Sequence, residues 1–509
     1  MAIQTRGTTF GIVEEVTEGV SLEPSATTDY IPLREGFSMI PDTETLETDT
    51  IKGDIGRSAP QLGQENPTAV LPIYLKANTT ATAPDLNLLY KNAFGTTAIR
   101  ATERDVVSST ASTITVDAGE GVEFQRGDAL LVKHAASAYE IANVVSVATD
   151  TLTLAFDNRN NPGSGTNLGR NTVYRPADTR GSLSLWDYRG NGIGAVGHMS
   201  GGKVSELSIE VEAGQLVTGS ATVQGLEYFF NPIEIEATDV TIDFNVTGPV
   251  LAAATLTAKM YKDPHALATA VTTAMNNAQA TDTITCSYSN TTGKFTISSD
   301  GSLLELLWNS GAGTANTTGD QLGFTVASDD TGATTYTADN AIHAPGGAAT
   351  DDLSSPQTGV LDSSNPLVAK SAELFIGDST TENSCISVQS LSMTLTNELA
   401  PVNDICAASG RSAQVTALRE FTMEAVLNLQ KWEAENYKDF RLNSAVKVQL
   451  NIGEKADGVN FDEGKIANVF IQDARISSFA MEDSDGLVVL NLGLSAVSDG
   501  SGEVFLNFL

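Results

Sequence analysis

Hydrophobic and polar residues alternate most cleanly along two stretches of this chain, and the two stretches resemble each other. From Gly36 to Leu75 the sequence reads GFSMIPDTETLETDTIKGDIGRSAPQLGQENPTAVLPIYL. From Ser390 to Leu429 it reads SLSMTLTNELAPVNDICAASGRSAQVTALREFTMEAVLNL. Phe37-Ser38-Met39 lies over Leu391-Ser392-Met393, and Gly56-Arg57-Ser58-Ala59 over Gly410-Arg411-Ser412-Ala413. Both matches share one gap-free offset, 391 − 37 = 354 and 410 − 56 = 354. A repeat of this kind constrains the architecture before any local reading does.

Each copy has the same layout. Phe37 and Met39, or Leu391, Met393 and Leu395, share one face of a first strand. A long polar loop follows. A second alternating run returns through Ala69, Leu71, Ile73 and Leu75, or Met423, Ala425, Leu427 and Leu429. A short amphipathic helix comes next. In the first copy Pro84 opens it, Gly95 closes it, and Leu86, Leu89, Tyr90 and Ala93 form its apolar side. The second helix carries Trp432, Tyr437 and Phe440.

Around these copies the pattern divides the chain into five parts. The first repeat is discontinuous, 1–97 and 179–236. An all-β insertion at 98–178 interrupts it, with strands expected at Val106–Val116, Ala129–Val132, Val144–Val147 and Leu152–Ala155. A second, α+β insertion spans 237–348, with a helix opened by Asp263-Pro264 and a stripe of Leu267, Val271 and Met275. A linker at 349–366 leads into the second repeat, 367–509. The run from Val204 to Glu212 puts Leu207, Ile209 and Val211 on one face and Glu206, Ser208, Glu210 and Glu212 on the other. Near the C-terminus Val488, Leu490, Leu492 and Leu494 are expected inside, with Asn491, Gly493 and Ser495 outside. This period of two marks a sheet with one buried and one solvated side. The arm 1–35, with a strand near Phe10–Val13, packs either on a neighbouring subunit or on its own domain.

Composition narrows the function. The chain has 509 residues, 41% of them hydrophobic, which is enough for packed cores. The formal net charge is −34, because Lys and Arg are scarce. Such a surface repels nucleic acid and anionic membranes. Three cysteines, Cys286, Cys385 and Cys406, form no CxxC pair and suggest neither a disulfide framework nor structural zinc. No secretory leader pattern and no membrane-spanning apolar run is read in the sequence, so a soluble protein of a reducing cytoplasm is expected.

Motifs for chemistry are weak. Gly192, Gly194 and Gly197 fit G-x-G-x-x-G, but a strand and not a helix is expected after them, so a Gly-rich turn is the better reading. His134, His198, His265 and His343 are scattered. Asp329-Asp330 and Asp351-Asp352 lack the alternating pattern of a calcium loop. The reading is therefore no enzyme, no cofactor and no metal, with function carried by architecture.

The opening MAIQTRGTTFGIVEEVTEGV, IPLREGFSMIP, the helix ending Ala93-Phe94-Gly95, SLSLWDYRGNG and GGKVSELSIEVEAGQLVTGSATVQG resemble phage tail tube (major tail) proteins. The resemblance covers the repeats well and the insertions poorly. It implies a mainly β fold: two tandem β-sandwich or barrel tube domains, each with a flanking α-helix, plus two inserted β-rich domains. It implies a structural virion protein whose stacked rings form the tail tube, a conduit for DNA from capsid to host. Most such proteins carry one tube domain and form hexameric rings. The duplication here resembles fused forms that make trimeric, pseudo-sixfold rings. Self-association, the tape-measure protein and tail terminator or baseplate proteins are the implied partners, with transient passage of DNA and no membrane. The place is the virion tail, assembled in the host cytoplasm.

On this reading Glu206, Ser208, Glu210, Glu212, Asn491 and Ser495 face the lumen. Loops Pro41–Pro67 and Thr396–Arg419, with Asp54, Arg57, Asp404 and Arg411, reach the adjacent ring. Both insertions are expected to project outward and to be dispensable. A capsid decoration or fibre-type adhesin is the alternative, since exposed β domains have similar composition.

Overall fold

The computed structural model describes residues 8–24, 29–48, 59–77, 83–134, 138–189, 195–246, 251–342, 365–381, 384–407, 409–429, 434–455, 457–484, 486–498 and 503–509. Strand makes up 52% and helix 9%, so the chain is mainly β.

Eight strands build the sheet that organises it. They are β1 (Ser38–Ile40), β2 (Thr68–Tyr74), β3 (Ala195–Glu212), β4 (Thr218–Gln224), β5 (Val388–Asn403), β6 (Arg411–Asn428), β7 (Ile466–Ser484) and β8 (Leu487–Ala496). All pairings are antiparallel, in the spatial order β1-β2-β4-β3-β5-β6-β8-β7. The first repeat supplies the first four places and the second repeat the last four, in the same internal order. Ser38 pairs with Val70, and Ser392 with Glu424, so the offset of 354 found in the sequence is also a strand register (392 − 38, 424 − 70).

The repeat continues where the sequence no longer displays it. Tyr74 pairs with Thr218 and Asn428 with Val489, which carries the equivalence to β4 and β8. Thr218 then pairs with Glu210, and Val489 with Glu482. Glu210 and Glu482 are therefore equivalent, at an offset of 482 − 210 = 272. A register shift falls between Val204 and Glu206 in β3, and at the same place, between Ile476 and Ser478, in β7. Such bulges bend a strand and sharpen its twist. Beyond the bend each strand changes its pairing partners. Leu183–Arg189 and Glu227–Phe230 flank the start of β3, and Val446–Gly453 and Val504–Phe508 flank the start of β7.

Alternation explains the packing. Leu207, Ile209 and Val211 are buried with Leu391, Met393, Leu395, Phe421, Met423 and Leu427 in one core shared by both repeats. β-branched and aromatic residues favour such pleated, half-buried positions. Leu490, Leu492 and Leu494 are buried as expected, and the alternation departs from expectation at Val488 and Gly493. Val488 is 54% exposed at the tip of the β7–β8 hairpin, Val489 is 2% exposed, and Gly493 is buried where a Cβ would meet the Ser478 hydroxyl at 2.4 Å.

Three helices are described: α1 (Asn87–Phe94), α2 (Pro264–Ala278) and α3 (Ala434–Leu442). α1 buries Leu89, Tyr90, Ala93 and Phe94 and ends on Gly95 at φ 125°, where a Cβ would lie 2.7 Å from that of Ala177. That backbone conformation suits glycine. α3 sets Tyr437 and Phe440 against Phe479 of β7, with ring centroids 5.5 and 6.1 Å apart. Trp432 lies outside the described residues. α2 belongs to the second insertion, is capped by Asp263 Oδ1 accepting from the Ala266 amide at 2.8 Å, and buries Leu267, Val271 and Met275 as expected.

The described part of the N-terminal arm packs on its own chain. Thr9–Glu14 pairs with Leu183–Arg189. Beyond it, the Glu15 carboxylate is buried and accepts from the Gly19 and Gly201 amides, both at 2.8 Å, and from the Ser182 and Ser184 hydroxyls at 2.6 and 2.9 Å. Ser21 bonds the buried His198 ring at 2.7 Å, and Trp186 donates to the Leu22 carbonyl at 2.8 Å. Burial holds the His198 ring neutral by pushing its pKa down to about 3. Glu15→Gln turns an amide N–H toward donors, so thermal or urea unfolding should report a loss of about 2 kcal/mol.

The first insertion is a closed barrel of six strands between Arg104 and Leu168. The expected single run Val106–Val116 is a hairpin, Arg104–Ser109 and Thr113–Val116, turning where Thr110 and Thr113 exchange side-chain and backbone bonds. The strands flanking the barrel, Gly95–Arg100 and Asn171–Pro176, pair with each other. Thr172 to Tyr174 also pair with the C-terminal strand Val504–Phe508.

Candidate assembly and channel surface

One face of the eight-stranded sheet is core and the other is polar. On the polar face Glu206, Ser208, Glu210 and Glu212 of β3 stand opposite Thr396, Thr394, Ser392 and Ser390 of β5. On their other side lie Thr222, Ser220 and Thr218 of β4. Across β6 the row continues through Glu420, Thr422 and Glu424, and across β8 through Ser495, Gly493 and Asn491. None of these positions carries Lys or Arg.

The face is curved. A groove of about 720 Å³ is lined by residues from β2, β4, β3, β5, β6, β8 and β7, among them Tyr74, Glu210, Glu212, Glu424, Asn491 and Ser478. Arg34 is the one base that lines it, and its guanidinium lies over the Tyr74 ring at 4.9 Å. Of the six residues expected to face a lumen, the groove gathers Glu210, Glu212 and Asn491. Glu206 and Ser208 extend the same row of β3, and half-buried Ser495 continues that of β8. Glu420, Glu424 and Glu482 share the face without having been singled out. The signal was present for two of them, because Met423, Ala425 and Leu427 were read as the inward side of the same strand.

The joint between the repeats lies in the middle of this surface. β3, the last strand of the first repeat, pairs over seven residues with β5, the first strand of the second: Glu206 to Glu212 against Thr396 to Ser390. At the ends of the sheet the equivalent edges have no described strand beside them: β1, and β7 from Ser478 to Ser484. Met481 is 64% exposed there and Ile40 is 55% exposed.

Among the described residues the expected long loops are largely ribbons. β5 and β6 stay paired from Asn403 and Arg411 inward, and Thr43–Leu46 pairs with Gln61–Glu65. A two-stranded ribbon is solvated on both faces, so polarity without a period of two was mistaken for loop. The ribbons touch each other through Gln64, whose amide donates to Asn403 at 3.2 Å, and through the Glu65 amide, which donates to the Ser409 carbonyl at 3.2 Å. Arg411 is buried within the chain and donates to Asn66 and to the Gly225 carbonyl, both at 3.1 Å. Asp404 shapes the second tip by accepting from the Cys406 amide at 2.8 Å. Asp54 and Arg57 lie outside the described residues. The ribbons nevertheless expose aliphatic side chains: Leu62 at 77%, Leu418 at 58% and the tip residue Ile405 fully.

Gly192 and Gly194 lie outside the described residues, but Gly197 sits within β3, so a strand occupies the place where a phosphate-binding helix would start. Of the Gly-rich turn expected over 192–197, residues 195–197 are the start of β3. His134 stands 3.9 Å from Glu140, His265 bonds Asn290 at 3.1 Å, and His343 is not among the described residues. No protein-family model matches the chain, and no curated protein matches it in sequence.

Proposed function

We propose that this chain is a structural tube protein: a duplicated tail tube subunit of a long-tailed bacteriophage, whose stacked rings form a conduit for DNA. The single observation that carries the reading is the joint between β3 and β5. It is a heterologous contact, edge of one repeat to a different edge of the next. A contact of that type either closes into a ring or runs on as a filament. Each chain uses it once internally and keeps one edge of each kind, β7 and β1, for its neighbours. Open sheet edges are otherwise a liability in a soluble protein.

The curved acidic face supports the same reading. Turned inward in a ring, it offers phosphate one lining base, Arg34, amid a row of carboxylates. The exposed aliphatic residues of the ribbons suit contact with the next ring, since apolar side chains on a projecting two-stranded ribbon find no cover within the chain. Each tube domain keeps its flanking helix, α1 or α3, on the outside of the sheet. Tape-measure, terminator and baseplate proteins are the partners such a tube requires.

Electron microscopy of the purified protein or of virions tests this. The expected images are hollow stacked rings with three chains each and pseudo-sixfold symmetry, because each chain supplies two repeats. Strictly monomeric particles, with the protein found on the capsid surface, would replace the reading by a decoration protein. Six chains per ring would mean that only one repeat lines the channel.

A further inference from the structure

We infer that the six-stranded barrel is a clamp between the two repeats, so that the joint inside a chain and the joint between chains differ in strength. This goes beyond the tube reading and holds for a single chain whether or not it assembles.

The barrel is inserted in the first repeat but docks on the second. Its Phe156 is buried with Phe375, Phe470 and Phe505, all from the second repeat, and the Phe156 and Phe375 rings are 6.0 Å apart. Beside this cluster is a buried amide network. Asn143 of the barrel and Asn468 of β7 exchange bonds of 2.9 and 3.0 Å. Asn507 accepts from the Ala129 amide at 3.0 Å and donates to the Gly127 carbonyl at 3.1 Å. Gly127, at φ 88°, lies so close to Phe505 that an added Cβ would stand 2.2 Å from its ring. Matched partners of this kind are costly to separate, because each buried amide would lose its bonds.

Among the described residues the second repeat has no counterpart of this barrel. In the second repeat α3 ends at Leu442 and the following strand begins at Val446, so three residues stand where the first repeat carries the barrel. A joint between chains therefore has the paired edges but lacks a barrel across them. Inserted domains usually decorate; this one holds the repeats at a fixed mutual placement, and the expectation that it is dispensable does not fit its contacts.

Hydrogen exchange on the unassembled full chain tests the role. Phe156→Ala and Phe375→Ala cut the dock from opposite sides. Phe156 is not part of the barrel's own core, which is built around Val106, Ile114, Leu130, Val144 and Leu152. Both variants should leave barrel amides protected, while amides of the β3–β5 joint, Leu207 to Val211 and Leu391 to Leu395, exchange on the order of tenfold faster. Joint exchange unchanged in both, with faster exchange confined to the dock, would overturn the proposal. Phe375→Ala lies outside the barrel, so it decides the matter should Phe156→Ala disturb the barrel fold.

Discussion

Assembled protein carrying Ser38→Cys and Glu482→Cys will yield covalent dimers and trimers of the chain on oxidation. The register follows from the joint inside the chain. There Glu210 stands directly opposite Ser392. Ser38 is the repeat equivalent of Ser392, and Glu482 that of Glu210. A neighbour that repeats the joint therefore sets Ser38 of one chain against Glu482 of the next. Directly opposed residues have Cβ atoms about 4.5–5.5 Å apart, close enough for a disulfide after a small adjustment. The exposed Cys385 and Cys406 must first be replaced by Ser. The same register sets Met481 against Met39, as Ile209 faces Met393 within the chain, and covers its exposed side chain. Glu210→Cys with Ser392→Cys supplies the positive control, an intrachain bridge. A control that closes while the 38–482 pair stays reduced in assembled protein would reject the register. Bridging of Ser38→Cys with Ala480→Cys instead would mean a slip of two residues. A ladder ending at three chains marks the closed trimer.

How much of this surface could be read beforehand depends on what each segment packs against. The repeat was visible over Gly36–Leu75 because β1, β2, β5 and β6 keep the same spacing and put their apolar residues into one shared core. It was invisible over β3 and β7. Glu206, Ser208 and Glu210 correspond there to Ser478, Ala480 and Glu482, and an open polar face constrains identity little. The insertions also change the offset from 354 to 272, and the difference of 82 residues reflects the barrel and its flanking strands. Alternation in Leu207, Ile209 and Val211 was enough to orient β3. Nothing in the sequence pointed to the dock of the barrel. Its amides, Asn143, Asn468 and Asn507, look like ordinary polar residues until two distant segments bury them together. The ribbons escaped for the opposite reason, since with both faces solvated they lack the apolar side that reveals a strand.

Replacing Glu206, Glu210 and Glu212 together by Lys should leave tubes intact and make them grip DNA. All three side chains are exposed, and the core side of β3 is untouched. Solvated charges on a strand contribute at most about 1 kcal/mol each to folding. Assembly should be little affected, because the lysines repel one another as the carboxylates did, while Glu420 and Glu424 on the same face now carry the opposite charge. The consequence for DNA is larger. Each substitution changes the local charge by two, and the row repeats in every ring, so duplex DNA in the channel would meet band after band of ammonium groups. Neutralised phosphates release counter-ions, which makes the grip steeply salt-dependent. Virions built with the variant should therefore eject DNA on the order of tenfold or more slowly at low salt. The rate should recover as salt shortens the Debye length to roughly 3 Å at 1 M. Two measurements decide: the ejection rate against salt, and the map position of the three side chains in the assembled tube. Normal ejection at low salt, with these residues on the outer wall, would assign the acidic face to solubility and reject it as the channel lining.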